Sequence, residues 1–260
     1  MRIIILLLGL CLLPSCSYFG GDKKEDETEN WSADRLYNEA KGALDAGDWS
    51  KAISMYERLE SRFPFGVYGQ QSVLDLAYAY YKSDQPEAAV SAANRFIKLY
   101  PQNDHVDYAY YLKGLANFNK GKGLIDRIAR IDTSQRDPGA AMLAFQDFSE
   151  LVERYPDSQY APDSRKRMVY LRNILAEHEV HVAHYYMRRS AYLAAANRAR
   201  LVVEQYQRTP SVPDALSIMA KAYKILGMDD LSRDSLRVLE LNYPNYPGIR
   251  EVQEIVITEG

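Results

Sequence analysis

From Ala33 onward the apolar and small positions of the chain recur in a fixed phase. Five aromatic–proline pairs or their equivalents align: Phe63-Pro64, Tyr100-Pro101, Tyr155-Pro156, Tyr206-Gln207 and Tyr243-Pro244. Twelve residues before each second member stands a small residue: Ala52, Ala89, Ala144, Ala195 or Ser232. Twelve before those stand Ala40, Ala77, Ala183 and Ala220; in the third unit Gly114 precedes Ala144 by 30 residues, an insertion of 18. Large residues fill the remaining inner positions: Leu36, Tyr56 and Leu59 in the first unit, Val73, Tyr80 and Phe96 in the second, Tyr223, Leu236 and Leu239 in the fifth. Antiparallel helices approach closely only where side chains are small, and proline ends the second helix and redirects the chain. The spacing therefore predicts helix pairs, with turns at Gly47-Asp48, Ser83-Asp84-Gln85-Pro86, Pro156-Asp157-Ser158 and Gly227. No segment alternates with a period of two between hairpin turns, so no sheet is expected. The stretch from Ser164 to Arg188 has no breaker and predicts one helix of about 25 residues opening the fourth unit.

A helix–turn–helix unit of about 34 residues with small residues at two fixed places is the tetratricopeptide (TPR) pattern. The expected fold class is all-α: a single elongated TPR solenoid of about five repeats. Units one to three occupy 31–159 with an inserted loop at 119–139, and units four and five occupy 160–245. A C-terminal tail follows at 246–260.

Ahead of the repeats, Arg2 precedes an apolar run from Ile3 to Leu13, and the small Ser15 precedes Cys16. Such an order marks residues 1–15 as a secretory signal peptide. The run is shorter than the ~18 residues needed to cross a membrane. The Leu13-Pro-Ser-Cys16 ending resembles a bacterial lipobox, which implies cleavage before Cys16 and lipidation of its thiol. Cys11 lies inside the apolar run and is a poor cleavage site. Ser17 rather than Asp after the cysteine implies, by the same resemblance, export to the periplasmic face of the outer membrane. Residues 16–30 then read as the lipidated cysteine and a flexible tether, because 17–30 is highly charged and lacks apolar periodicity.

Composition narrows the chemistry further. Cys11 and Cys16 are the only cysteines, so the mature chain keeps one, and it is lipidated; no disulfide or cysteine metal site is expected. The formal charge is −3. Nothing in that balance suggests nucleic-acid binding, which calls for a basic domain. The 21 tyrosines against 7 phenylalanines suit a chain that builds binding surfaces as well as cores.

No catalytic constellation stands out. His178, His181 and His184 are spaced so that a pair could share a metal, but no second histidine stands at 182 as a zincin would require. A polar helix face with Glu177–His181 and His184–Arg188 pairs accounts for the cluster, and neither metal nor cofactor is expected. Gly121-Lys122-Gly123 is not a phosphate-binding loop, because Ala116 stands where the leading glycine belongs. Gly-x-Ser-x-Gly is absent too, so the chain does not read as an enzyme. More informative is the run from Ala183 to Arg208, where Arg188, Arg189, Arg198, Arg200 and Arg208 face a single acid, Glu204. On a solenoid, such a surface suits a protein partner.

Several longer motifs resemble the BamD family, the TPR lipoproteins of the outer-membrane β-barrel assembly machine. They are Pro64-Phe-Gly-Val-Tyr-Gly-Gln-Gln71, Leu74-Asp-Leu-Ala-Tyr-Ala-Tyr-Tyr-Lys82, Asp107-Tyr-Ala-Tyr-Tyr-Leu-Lys-Gly114, Arg136-Asp-Pro138, Ala144-Phe-Gln-Asp-Phe-Ser149, Tyr155-Pro-Asp-Ser-Gln-Tyr160 and Asn197-Arg198. Val67 and Gln207 depart from prolines of the family pattern. The resemblance implies a non-enzymatic scaffold that takes part in inserting β-barrel proteins into the outer membrane. Units four and five would dock a periplasmic domain of the BamA-like barrel subunit, with Arg198 and Asn197 at the contact and Arg188 and Arg189 nearby. Units one to three would contact a BamC-like accessory lipoprotein and recognise unfolded barrel substrates. Phe65 and Tyr68 are the candidates there: two aromatics beside Gly66 and Gly69, in a turn that needs only a small filler. A TPR lipoprotein serving cell division or pilus assembly is the alternative.

Overall fold

A computed structural model describes residues 27–120 and 138–255. The expected signal peptide, Cys16, most of the tether, and residues 121–137 of the insert lie outside the described residues. Among those described there are eleven helices and no strand. Unit one is α1 (Ala33–Asp45) and α2 (Trp49–Arg62); unit two is α3 (Val67–Lys82) and α4 (Pro86–Leu99). Unit three is α5 (Val106–Lys120) and α6 (Gly139–Arg154), and unit four is α7 (Ala161–Arg188) and α8 (Tyr192–Gln205). Unit five is α9 (Val212–Ile225) and α10 (Asp229–Asn242), followed by a short α11 (Gly248–Gln253). Each helix from α1 to α10 packs on the next, and the first helices also touch one another along α1–α3–α5 and α7–α9–α11.

The repeat phase has a physical basis at each position. Ala40, Ala52, Ala77, Ala89, Ala144, Ala183, Ala195 and Ala220 have no exposed surface. Gly114 holds the same place in unit three: a Cβ there would stand 2.6 Å from the ring of Phe148. The aromatic before each proline caps the second helix with one bond. Phe63, Tyr100, Tyr155, Tyr206 and Tyr243 each donate their backbone N–H to the carbonyl four residues back, at 2.7–2.9 Å. Gln207 therefore does not lengthen α8; Arg172 of α7 donates to its carbonyl and holds the turn. Within units, a left-handed residue closes each described turn: Gly47 (φ 78°), Asp84 (φ 62°), Ser190 (φ 57°) and Gly227 (φ 70°). Glycine takes this conformation without strain, and aspartate tolerates it better than most.

Buried groups knit neighbouring helices. Asp147 of α6 is buried, accepting from Asn117 (2.6 Å) and pairing with Lys113 (2.9 Å), both on α5. Tyr37 and Tyr56 both donate to Asp75 of α3, at 3.2 and 3.1 Å. Burial, then the Asp75 carboxylate, pushes the Tyr37 hydroxyl up to about 12 and that of Tyr56 higher.

Four sequence expectations need adjusting. The tether is tied down before its expected end: Thr28 is buried and accepts from Arg58 (2.9 Å) and Arg62 of α2. The insert begins later than 119, because α5 continues to Lys120. The unit-four helix spans 28 residues, Ala161–Arg188, because Pro162 falls in its first turn, where a missing N–H does no harm. The tail at 246–260 contains α11, which takes the place of a next unit's first helix beside α9. Val252 of α11 is buried, Lys221 pairs with Glu251, and Lys224 donates to the carbonyls of Val252 (2.7 Å) and Gln253 (3.3 Å). A polar helix thus closes the open end of the solenoid, as terminal repeats of such arrays require.

Candidate functional site

The turn from α2 to α3 is built unlike the others. Gly66 (φ 89°) leads into α3, and Gly69 packs against the backbone of Phe63 and Pro64, where a Cβ would come within 2.8 Å. Gly69 thus occupies the buried position that Val106, Ala161 and Val212 fill at the start of later first helices. Phe65 and Val67 flank Gly66 and point outward, 89% and 81% exposed. At the same two phases the other turns carry Gln102 and Asp104, Asp157 and Gln159, Arg208 and Pro210, Asn245 and Pro247. An apolar pair at these places serves no packing need of the repeat.

Tyr68 behaves differently from Phe65. Its hydroxyl donates to Asp34 of α1 (2.7 Å), and its ring lies 5.2 Å from that of Tyr37. That hydrogen bond raises its pKa. Tyr68 therefore ties unit two to unit one while keeping one face partly open, and the two sequence candidates divide into a free aromatic and an anchored one. The sequence marks Val67 only as a departure from proline, although comparing the five turns in phase singles it out.

A ladder of tyrosines and acids continues along the first helices of units three and four. Tyr111 stacks on Tyr160 at 4.8 Å and donates to Asp163 (2.7 Å), which also accepts from Arg167 (2.5 Å). Burial raises the Asp163 carboxyl, but Arg167 and Tyr111 outweigh it and hold the group below the usual carboxylate range. These contacts fix α5 against α7, where the two halves of the solenoid meet.

The expected arginine site separates into two places. Arg198 of α8 donates to Glu179 of α7 at 3.0 Å; the pair is 46% and 13% exposed respectively. Asn197 is exposed and accepts from Arg200 (3.3 Å). Arg188 and Arg189 are exposed at the α7–α8 tip. Arg198 lies further along α8, about 9 Å of helix beyond Tyr192 where α8 begins. Arg189 lies over Tyr185 at 5.4 Å. Exposed Leu193, Leu226 and Met228 lie at the turns within units four and five, and the sequence reading singles out none of them. Their signal is apolar residues beside turns, outside the inner phase.

The histidines line an open groove of about 640 Å³ with Val182, Tyr185 and Arg188. His184 pairs with Asp214 of α9 (3.0 Å), not with Arg188 as the helical spacing suggested. Burial raises Asp214, but His184, then Tyr246 and Lys221, bring it below the usual carboxylate range. Among the described residues, no group of three or more His, Cys, Asp or Glu side chains is arranged to hold a metal. No described helix is long and apolar enough to cross a membrane.

The YfiO family of outer-membrane lipoproteins matches residues 29–239. The chain is 45% identical over 253 residues to the outer membrane protein assembly factor BamD of Neisseria meningitidis serogroup B, covering 96% of this chain and 95% of that one. It is 35% identical to BamD of Xylella fastidiosa strain Temecula1, over 95% of this chain and 83% of that one. The BamD of Vibrio cholerae is 37% identical over 91% of this chain and 96% of its own length.

Proposed function

The chain belongs to the BamD family of outer-membrane lipoproteins, and on that premise we propose how it acts. It is an outer-membrane protein assembly factor of the β-barrel assembly machine. Its work is that of a scaffold rather than an enzyme. Cys16 carries the lipid that holds it on the periplasmic face of the outer membrane. Units one to three, residues 31–159, receive unfolded barrel chains and contact a BamC-like lipoprotein; units four and five, 160–245, dock a BamA-like periplasmic domain.

The observation that carries substrate capture is the exposure of Phe65 and Val67 where the later turns carry polar residues or proline. Apolar side chains that stabilise nothing in the free protein are suited to a ligand. Barrel proteins typically end in an aromatic residue, which fits that patch, with Tyr68 anchored beside it. For docking, the α7–α8 tip offers Arg188 and Arg189 beside exposed apolar residues, and α8 offers Asn197 and Arg198. Arginine with a desolvated apolar surround is a common interface anchor. A peptide copying a barrel C-terminus should crosslink at Phe65 and Tyr68, and the Phe65→Ala/Tyr68→Ala protein should capture it weakly. Crosslinks confined to units four and five, or full capture by that variant, would contradict this assignment.

A further inference from the structure

We propose, building on capture of barrel chains at Phe65, that the turns following α2, α4 and α6 form one continuous track for an extended chain with cationic side chains upstream of its aromatic end. Same-phase positions of successive repeats line up along the edge of a solenoid. Here the first turn presents Phe65 and Val67, the second Gln102 and Asp104, the third Asp157 and Gln159. The edge thus changes from an apolar pair to one acid and one amide per turn, the acid standing at the second phase in the second turn and at the first phase in the third.

The three turns are joined laterally. Tyr100 donates from its hydroxyl to the carbonyl of Pro64 (3.5 Å), linking the second turn to the first. Ser158 donates to Asp107 (2.6 Å), linking the third to the second. Between the second and third turns lies an open groove of about 450 Å³, lined by Pro101, Asp104, Arg154, Pro156 and Asp157 among others. Asp104 and Asp157 are exposed. The groove's cation, Arg154, is engaged by Glu150 (3.0 Å) and lies over Tyr110 at 5.8 Å. Arg165 also reaches the third turn, where it donates to the Pro156 carbonyl (3.3 Å). Asp104 and Asp157 are the exposed groove charges left for a ligand, and they fit lysine or arginine.

The spacing also fits. Helices pack roughly 10 Å apart, and an unfolded chain in the extended polyproline II form rises about 3.1 Å per residue with about three residues per turn, so side chains three apart share one face. Neighbouring turns would therefore meet side chains about three residues apart. A transmembrane β-strand of ~9–11 residues is long enough to span all three turns. Its aromatic end would sit at Phe65 and Val67, with cationic residues about three and six positions upstream beside Asp104 and Asp157.

Two ten-residue peptides ending in Phe, with Lys or with Glu at the third and sixth positions upstream, test this against the full chain. A photoreactive group is placed in turn at each of those positions and at the end. The expected crosslinks run from 65–67 through 102–104 to 157–159. The Lys peptide should bind at least about fivefold more tightly, corresponding to ~1 kcal/mol, the upper range for an exposed ion pair. Asp104→Lys together with Asp157→Lys should reverse the preference without changing helicity. A terminal crosslink at 65–67 with no upstream labelling of the second and third turns, or equal binding of the two peptides, would overturn the track while leaving capture at Phe65 intact. Failure of either peptide to label 65–67 would overturn both.

Discussion

Phe65 and Val67 contribute almost no buried surface, so replacing both by alanine is expected to change unfolding free energy by less than ~0.5 kcal/mol. Peptide capture should nevertheless fall, and denaturant melts run beside binding isotherms would separate the two effects. Gly114→Ala should behave in the opposite way. Its methyl would overlap the Phe148 ring, and overpacking of this kind costs about 1–3 kcal/mol, which a lowered denaturation midpoint would show. Arg198→Glu would set a carboxylate against the largely hidden Glu179. Weakened docking in that variant therefore needs Arg198→Ala as a control, since losing an exposed pair costs at most ~1 kcal/mol. The alanines and aromatics of the repeat were legible in the sequence because their spacing is imposed by helix contact. The partner of Arg198 was not, because Glu179 lies nineteen residues away on an antiparallel helix.

Helices and turns were legible where chain chemistry is local. Gly47, Asp84 and Gly227 announce their turns, and the prolines after Tyr100 and Tyr155 announce their helix ends. α11 was not legible: six residues carry less than two turns of periodicity, and its attachment depends on side chains of α9. Asp214 is central to that attachment, joined by His184 of α7 and by Tyr246, which leads into α11. Its carboxyl lies below the usual value in the folded protein, so it contributes stability above the unfolded pKa of about 4 that is lost as pH falls through the folded value. Acidification should therefore loosen α11 and the α7–α9 contact. Asp214→Asn should flatten that part of the acid dependence, which hydrogen exchange at 246–253 would report; exchange there that ignores pH below about 4 in the parent protein would contradict the staple.

Across the whole molecule, tyrosine sets a second pH limit. Burial, reinforced by neighbouring carboxylates, pushes Tyr37, Tyr80, Tyr111 and Tyr246 up to about 12, and burial pushes Tyr56 and Tyr108 higher. Groups raised in the fold contribute stability fully present below their unfolded pKa of about 10 and lost as pH rises through the folded values. Helicity followed by circular dichroism should hold to about pH 10 and fall between about 10 and 12, together with delayed tyrosinate absorbance. The proposed lipidation of Cys16 is tested at this scale as well: Cys16→Ser should release a folded chain to the periplasm. Its retention in membranes stripped of partner proteins would contradict Cys16 as the sole anchor.

In the proposed function the N-terminal half receives barrel chains while the C-terminal half holds the barrel subunit. Its most direct test is a photocrosslinking comparison in intact membranes, with the reactive residue placed at Phe65 in one protein and at Arg198 in another, and the captured proteins identified by mass spectrometry. Unfolded barrel proteins are expected at position 65 and the BamA-like subunit at position 198. Cell-division or pilus proteins at both positions, or the same partner at each, would contradict it.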